Sequence, residues 1–166
     1  MSLHGRPFRY GGMPPSGPIP SQINFPLIET EDVQQFKIIV SGDPQTYSNN
    51  EIGMVRDSIV KDVASMEDMQ AIMFIGDIMG DDLSLYKRFR EIVGLANLPQ
   101  YYCAGNHDVD FDSPEFSHSF DTFRRELGPD YHSFDIGQVH FIVGNDVYYP
   151  CTPDQNEDGF HEHCDT

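Results

Sequence analysis

Tryptophan is absent from these 166 residues, and positive charge is scarce: 10 lysines and arginines stand against 27 aspartates and glutamates. A formal net charge of −17 excludes nucleic acid as an expected partner, because the protein would repel a phosphate backbone. No run is long and apolar enough to cross a membrane as a helix, and the first twenty residues hold no apolar segment of the signal-peptide kind. Cysteine is limited to three residues, which settle little. Cys103 falls inside a strand-like run and reads as an inert core thiol. Cys151 and Cys164 lie in a polar tail, where pairing in an oxidising compartment and metal binding with His161 and His163 both stand open.

What is present divides into three parts. Residues 1–35 carry half of the chain's 12 prolines and little periodicity, so a linker or an extended edge is expected there. From residue 36 to 149 the pattern is that of one α/β domain. Apolar runs at Phe36–Val40, Ala71–Ile75 and Gln100–Ala104 predict strands. Ile52, Val55, Ile59, Val60 and Val63 form a helical stripe after Ser48-Asn49-Asn50-Glu51, which has capping-box spacing. Leu85, Phe89, Ile92, Val93 and Ala96 form a second stripe, capped by Asp82 or Ser84 and stopped by Pro99. Phe120, Phe123 and Leu127 mark a shorter helix ending at Gly128-Pro129. Tyr131–Ile136 and Val139–Val143 predict a hairpin around Gly137-Gln138, either antiparallel to the first sheet or beginning a second. The strand–helix alternation implies a mostly parallel sheet. Residues 150–166 read as an acidic loop.

Each predicted parallel strand runs into a glycine followed by a ligand-type residue. The stretches are Ser41-Gly42-Asp43-Pro44-Gln45, Phe74-Ile75-Gly76-Asp77 and Gly105-Asn106-His107-Asp108. One strand-Gly-Asp alone is also what a solvated turn gives. Three together, at the strand ends where open α/β sheets place their chemistry, point to one metal site. Pro44 is expected to bias Asp43 toward extended backbone. Asp43 and Asp77 supply carboxylates, Gln45 and Asn106 amide oxygens, and His107 an imidazole. Oxygen-rich ligation of this kind suits Mn, Mg, Fe or Zn. Two such cations about 4 Å apart need a bridging carboxylate, clamp a phosphate and generate hydroxide near neutral pH. Asp77, in the middle strand, is the natural bridge.

In this order and context the three motifs resemble the calcineurin-like metallophosphoesterase superfamily, over about residues 36–149. That resemblance implies hydrolysis of phosphate mono- or diesters by a dinuclear metal centre. It implies Asp43 and Gln45 on the first metal, Asp77 bridging, and Asn106 on the second. His107 would be the general acid, with Asp108 orienting its ring. Gln45 stands where many members have histidine, and no Gly-His-x-His follows. The expected fold is therefore the N-terminal half of an α/β/β/α sandwich, a chain cut at both ends whose own hydrolysis is weak or absent. Residues 1–35 would then include the end of a preceding β-sandwich, and the setting would be extracytoplasmic and bacterial.

Other patterns compete. Asp154-x-Asn156-x-Asp158-Gly159 with Asp165 copies a calcium-loop spacing, although no helix enters it. Gly159-Phe160-His161-Glu162-His163 is close to a metal signature but carries an extra residue. His118, His132 and His140 have no ligand spacing. A non-catalytic metal- or phosphate-binding domain is the alternative function.

Overall fold

The three apolar runs form one parallel sheet in the computed structural model, which describes residues 10–12, 17–24, 33–113 and 115–148. Strands β1 (Lys37–Ser41), β2 (Met69–Ile75) and β3 (Gln100–Cys103) lie in the order β1-β2-β3. Both pairings are parallel, with Ser41 beside Phe74 and Cys103 beside Ile75. Parallel strands all end at the same edge, so the loops at Gly42, Gly76 and Gly105 begin side by side.

Alternation along β2 separates two faces. Ile72 and Phe74 are fully buried on the first. There Phe74 stacks on Tyr102 (ring centroids 5.5 Å, 11°) and meets the edge of Phe89 (5.2 Å, 72°). Phe89 belongs to α3 (Tyr86–Val93), which packs against α1 (Asn49–Val55). Helix α1 continues through a π-turn, Arg56–Val60, into α2 (Lys61–Ala64). Its predicted stripe is the buried one: Ile52, Val55, Val60 and Val63 are core residues, and Ile59 packs on them. Half of the predicted capping box forms. Ser48 Oγ accepts from Glu51 N–H at 3.3 Å, but the Glu51 carboxylate reaches past Ser48 to the Tyr47 N–H. Asp82 caps the turn leading into α3, accepting from Ser84 N–H. The chain leaves the helical region at Asn97 (φ +54), before Pro99, which was expected to stop it.

On the second face Tyr101 stacks on Phe134 (3.4 Å, 8°), Phe134 on Phe141 (4.8 Å, 6°), and Phe141 meets Phe36. Phe134 and Phe141 face each other across the hairpin of β4 (His132–Ile136) and β5 (Val139–Val143). This hairpin is a separate two-stranded sheet, the second of the expected alternatives. Helix α4 (Asp121–Glu126) brings Phe123 into the core, joined by Phe120 just before it. The architecture is thus mixed α/β, with helices on one face of a parallel sheet and a hairpin on the other. Toward the loop edge the second face stays open, and Val40 and Ile75 are 52% and 49% exposed.

Among the described residues no helix is long and apolar enough to cross a membrane. Residues 10–12 and 17–24 hold no helix or strand. Cys151, Cys164, His161, His163 and the calcium-like loop lie outside the described residues.

Candidate metal centre

The first two loops stay paired beyond the end of the sheet. Gln45 N–H donates to the Asp77 carbonyl (2.8 Å), Thr46 N–H to Ile78 (3.3 Å) and Gly80 N–H back to Thr46 (2.9 Å). A parallel bridge between Thr46 and Met79 continues the ladder. To make these bonds the backbone must turn sharply. Asp43 (φ +47), Gln45 (+40), Asp77 (+47) and Asp81 (+79) all occupy the left-handed region. Such backbone costs on the order of 1–3 kcal/mol at each non-glycine residue and persists only where surrounding bonds impose it. Asp43 is therefore not extended, as the following proline led us to expect. Returning the Gln45 N–H to Asp77 overrides that local bias.

The third loop is seated directly on Asp77. Gly105 approaches so closely that a Cβ there would overlap the Asp77 backbone nitrogen and Oδ1. His107 N–H donates to Asp77 Oδ1 at 2.9 Å. Asp77 thus touches both neighbouring loops, with its carbonyl toward the first and one carboxylate oxygen toward the third. Asn106 opens a short 3₁₀ turn, Asn106–Asp108, on the same loop.

The role expected for Asp108 requires correction. Its carboxylate is fully buried and accepts from the N–H groups of Ile78 (3.1 Å), Met79 (3.1 Å) and Gly105 (2.9 Å) and from Tyr86 Oη (2.8 Å). With both oxygens engaged this way, Asp108 ties the second loop to the third. Burial pushes its carboxyl up to about 6, against the pull of the four donors. The His107 ring is held by Asp81 instead, Nδ1 to Oδ1 at 2.8 Å. That hydrogen bond raises the imidazole pKa, partial burial opposes it, and the nearby charges of Asp81, Asp77 and Asp108 add to the rise.

Sequence reading missed Asp81, Tyr86 and Tyr47. Asp81 stands four residues beyond Asp77 in Gly76-Asp77-Ile78-Met79-Gly80-Asp81, a spacing that carries no helical or strand period of its own. Tyr86, the first residue of α3 and one that the predicted stripe left out, is fully buried, and its hydroxyl finds Asp108. Burial raises the pKa of the Tyr47 hydroxyl, and the charges of Asp81, Asp77 and Glu51 add to the rise.

The histidines without ligand spacing have ordinary partners. His118 pairs with Asp121, His140 with Asp135, and His132 with the Pro129 carbonyl. Cys103 is a free, partly buried thiol whose pKa burial raises. A cavity of about 350 Å³ between Phe116, Phe120, Arg124, Tyr131 and Tyr148 shares no residue with the three loops. Arg124 lines it but is committed to Asp130 through two bonds of 2.8 and 3.0 Å.

Among the described residues no three His, Cys, Asp or Glu side chains form a metal-holding group. The expected donor set has two carboxylates, Asp43 and Asp77, and two amides, Gln45 and Asn106. By number and type these four donors would make up part of the shell of one hard cation, which takes about six oxygens or more, and would not fill two shells. No family model matches the chain, and no curated protein matches it.

Proposed function

We propose that this loop edge is part of a metal-dependent phosphoesterase centre. The observation that carries the reading is the placement of Asp77, bonded by Gln45 from the first loop and by His107 from the third. Asp43, Gln45, Asp77 and Asn106 would hold a divalent cation such as Mg, Mn, Fe or Zn. When bound, such a cation neutralises phosphoryl charge and acidifies a water. A central carboxylate is what two neighbouring cations would share, and a second cation needs donors beyond these four. His107 is the general acid for the departing ester oxygen. With Nδ1 engaged by Asp81, Nε2 is the atom that carries the proton. Asp81 orients the ring and favours its charged form, and Asp108 acts as the brace between loops. A helix layer, a parallel sheet and a hairpin on the far face support the finer reading of the fold as part of an α/β/β/α sandwich.

Bound metal is the test. Protein loaded with Mn²⁺ and desalted should retain metal and hydrolyse a nitrophenyl phosphate mono- or diester only weakly, and Asp77→Asn should release at least one ion. The reading fails if wild-type protein retains no metal, or if Asp77→Asn retains as much as wild type. Retention of metal with no hydrolysis of either ester selects a non-catalytic metal- or phosphate-binding role.

A further inference from the structure

An aromatic ring at the junction of the first and second loops has no part in the chemistry proposed above. The Tyr47 ring lies against Gly80: a Cβ there would stand 2.5–2.6 Å from its Cδ1, Cε1 and Cζ. Only glycine leaves room for the ring at this position. The main chain on both sides is pinned by the Thr46–Ile78 and Gly80–Thr46 bonds, and the Tyr47 N–H donates to the Glu51 carboxylate. Main-chain pairing rather than core packing therefore sets the ring's place, and the residue remains 39% exposed. A ring held this firmly and left facing water offers a contact surface. Its position gives that surface a use. Gly80 precedes Asp81, whose Oδ1 holds His107 Nδ1, so Tyr47 flanks the His107–Asp81 pair.

We infer that Tyr47 is a specificity residue, its exposed ring stacking on an uncharged aryl leaving group of the phosphate ester. The inference rests on the phosphoesterase reading, because a general acid at His107 places the leaving oxygen, and the group attached to it, on Tyr47's side of the site. Asp81, Asp77 and Glu51 surround this position with negative charge, which disfavours a leaving group carrying further anionic charge.

Phenylphosphonate and methylphosphonate, which cannot be hydrolysed, separate the two claims when their binding is measured by calorimetry in Mg²⁺. Wild-type protein should bind phenylphosphonate more tightly by roughly two- to twelvefold, the range of an aromatic pair. Tyr47→Phe should keep that preference. Tyr47→Ala should abolish it while still binding methylphosphonate, which shows that the site is intact. Gly80→Ala, whose methyl group displaces the ring, should weaken the preference. Equal binding of the two phosphonates by wild type overturns the inference alone, as does a Tyr47→Ala variant that loses both ligands alike. If neither phosphonate binds wild-type protein, the phosphoesterase reading falls and this inference falls with it.

Discussion

His107 and Asp108 are adjacent in sequence but belong to different structures. The partners of Asp108 include Tyr86 and Ile78, 22 and 30 residues upstream, and not the neighbouring ring that the family resemblance implied for it. The partner of that ring, Asp81, lies 26 residues away. Asp81 holds the imidazole above its ordinary pKa, so the acid form survives to higher pH. Asp81→Asn should move the alkaline limb of kcat/KM to lower pH. His107→Ala should slow esters with poor leaving groups by roughly 10²–10⁴-fold, less for a nitrophenolate, with metal content near wild type. Equal slowing of both esters would make His107 a positioning residue or a ligand. Asp108 acts on stability, and with the opposite sign from an ordinary salt-bridged carboxylate. Its folded pKa of about 6 exceeds the reference 3.8, so the native state binds the proton more tightly than the unfolded chain. That contribution is complete below about pH 4 and lost as pH rises through 6, with an amplitude of about 3 kcal/mol. Urea unfolding of wild type and Asp108→Asn from pH 4 to 7.5 isolates it: the wild-type advantage should shrink as pH rises.

At the scale of elements, the strands and the helical stripes were legible because burial imposes periods of 2 and 3.6 on neighbouring residues. Details set by non-local bonds were not. The π-turn Arg56–Val60 interrupts a stripe whose apolar spacing reads equally well as an unbroken α-helix. Asp43 reads as extended beside Pro44, yet pairing with the second loop bends it. The hairpin's existence was written in Gly137-Gln138 between two apolar runs, but its docking depends on the Tyr101–Phe134–Phe141 stack. Phe134→Ala should therefore release the hairpin as a unit. Hydrogen exchange should show β4 and β5 losing protection while β2 keeps its own, with a stability loss of roughly 2–4 kcal/mol. Uniform loss of protection over both sheets would show that the hairpin does not dock as a separate layer.

Across the whole molecule, a formal charge of −17 opposes compaction. Thermal unfolding should shift upward as NaCl is raised toward about 1 M, where the screening length falls to roughly 3 Å. A midpoint insensitive to salt would mean that the carboxylates sit too far apart for repulsion to matter. The open half of the second sheet face, around Val40 and Ile75, should bind an apolar dye, and Val40→Thr with Ile75→Thr should reduce that signal.

By itself the sequence determined the mixed α/β class, the common edge of the three loops and the central place of Asp77. Apolar periodicity and glycine position are local properties, and parallel strands need only be neighbours to align their ends. Only the tertiary structure decided that Asp81 holds His107, that Asp108 braces two loops, and that Tyr47 lies on Gly80. Those contacts join residues from loops far apart in sequence, and their geometry exists only after the sheet has brought the strand ends together.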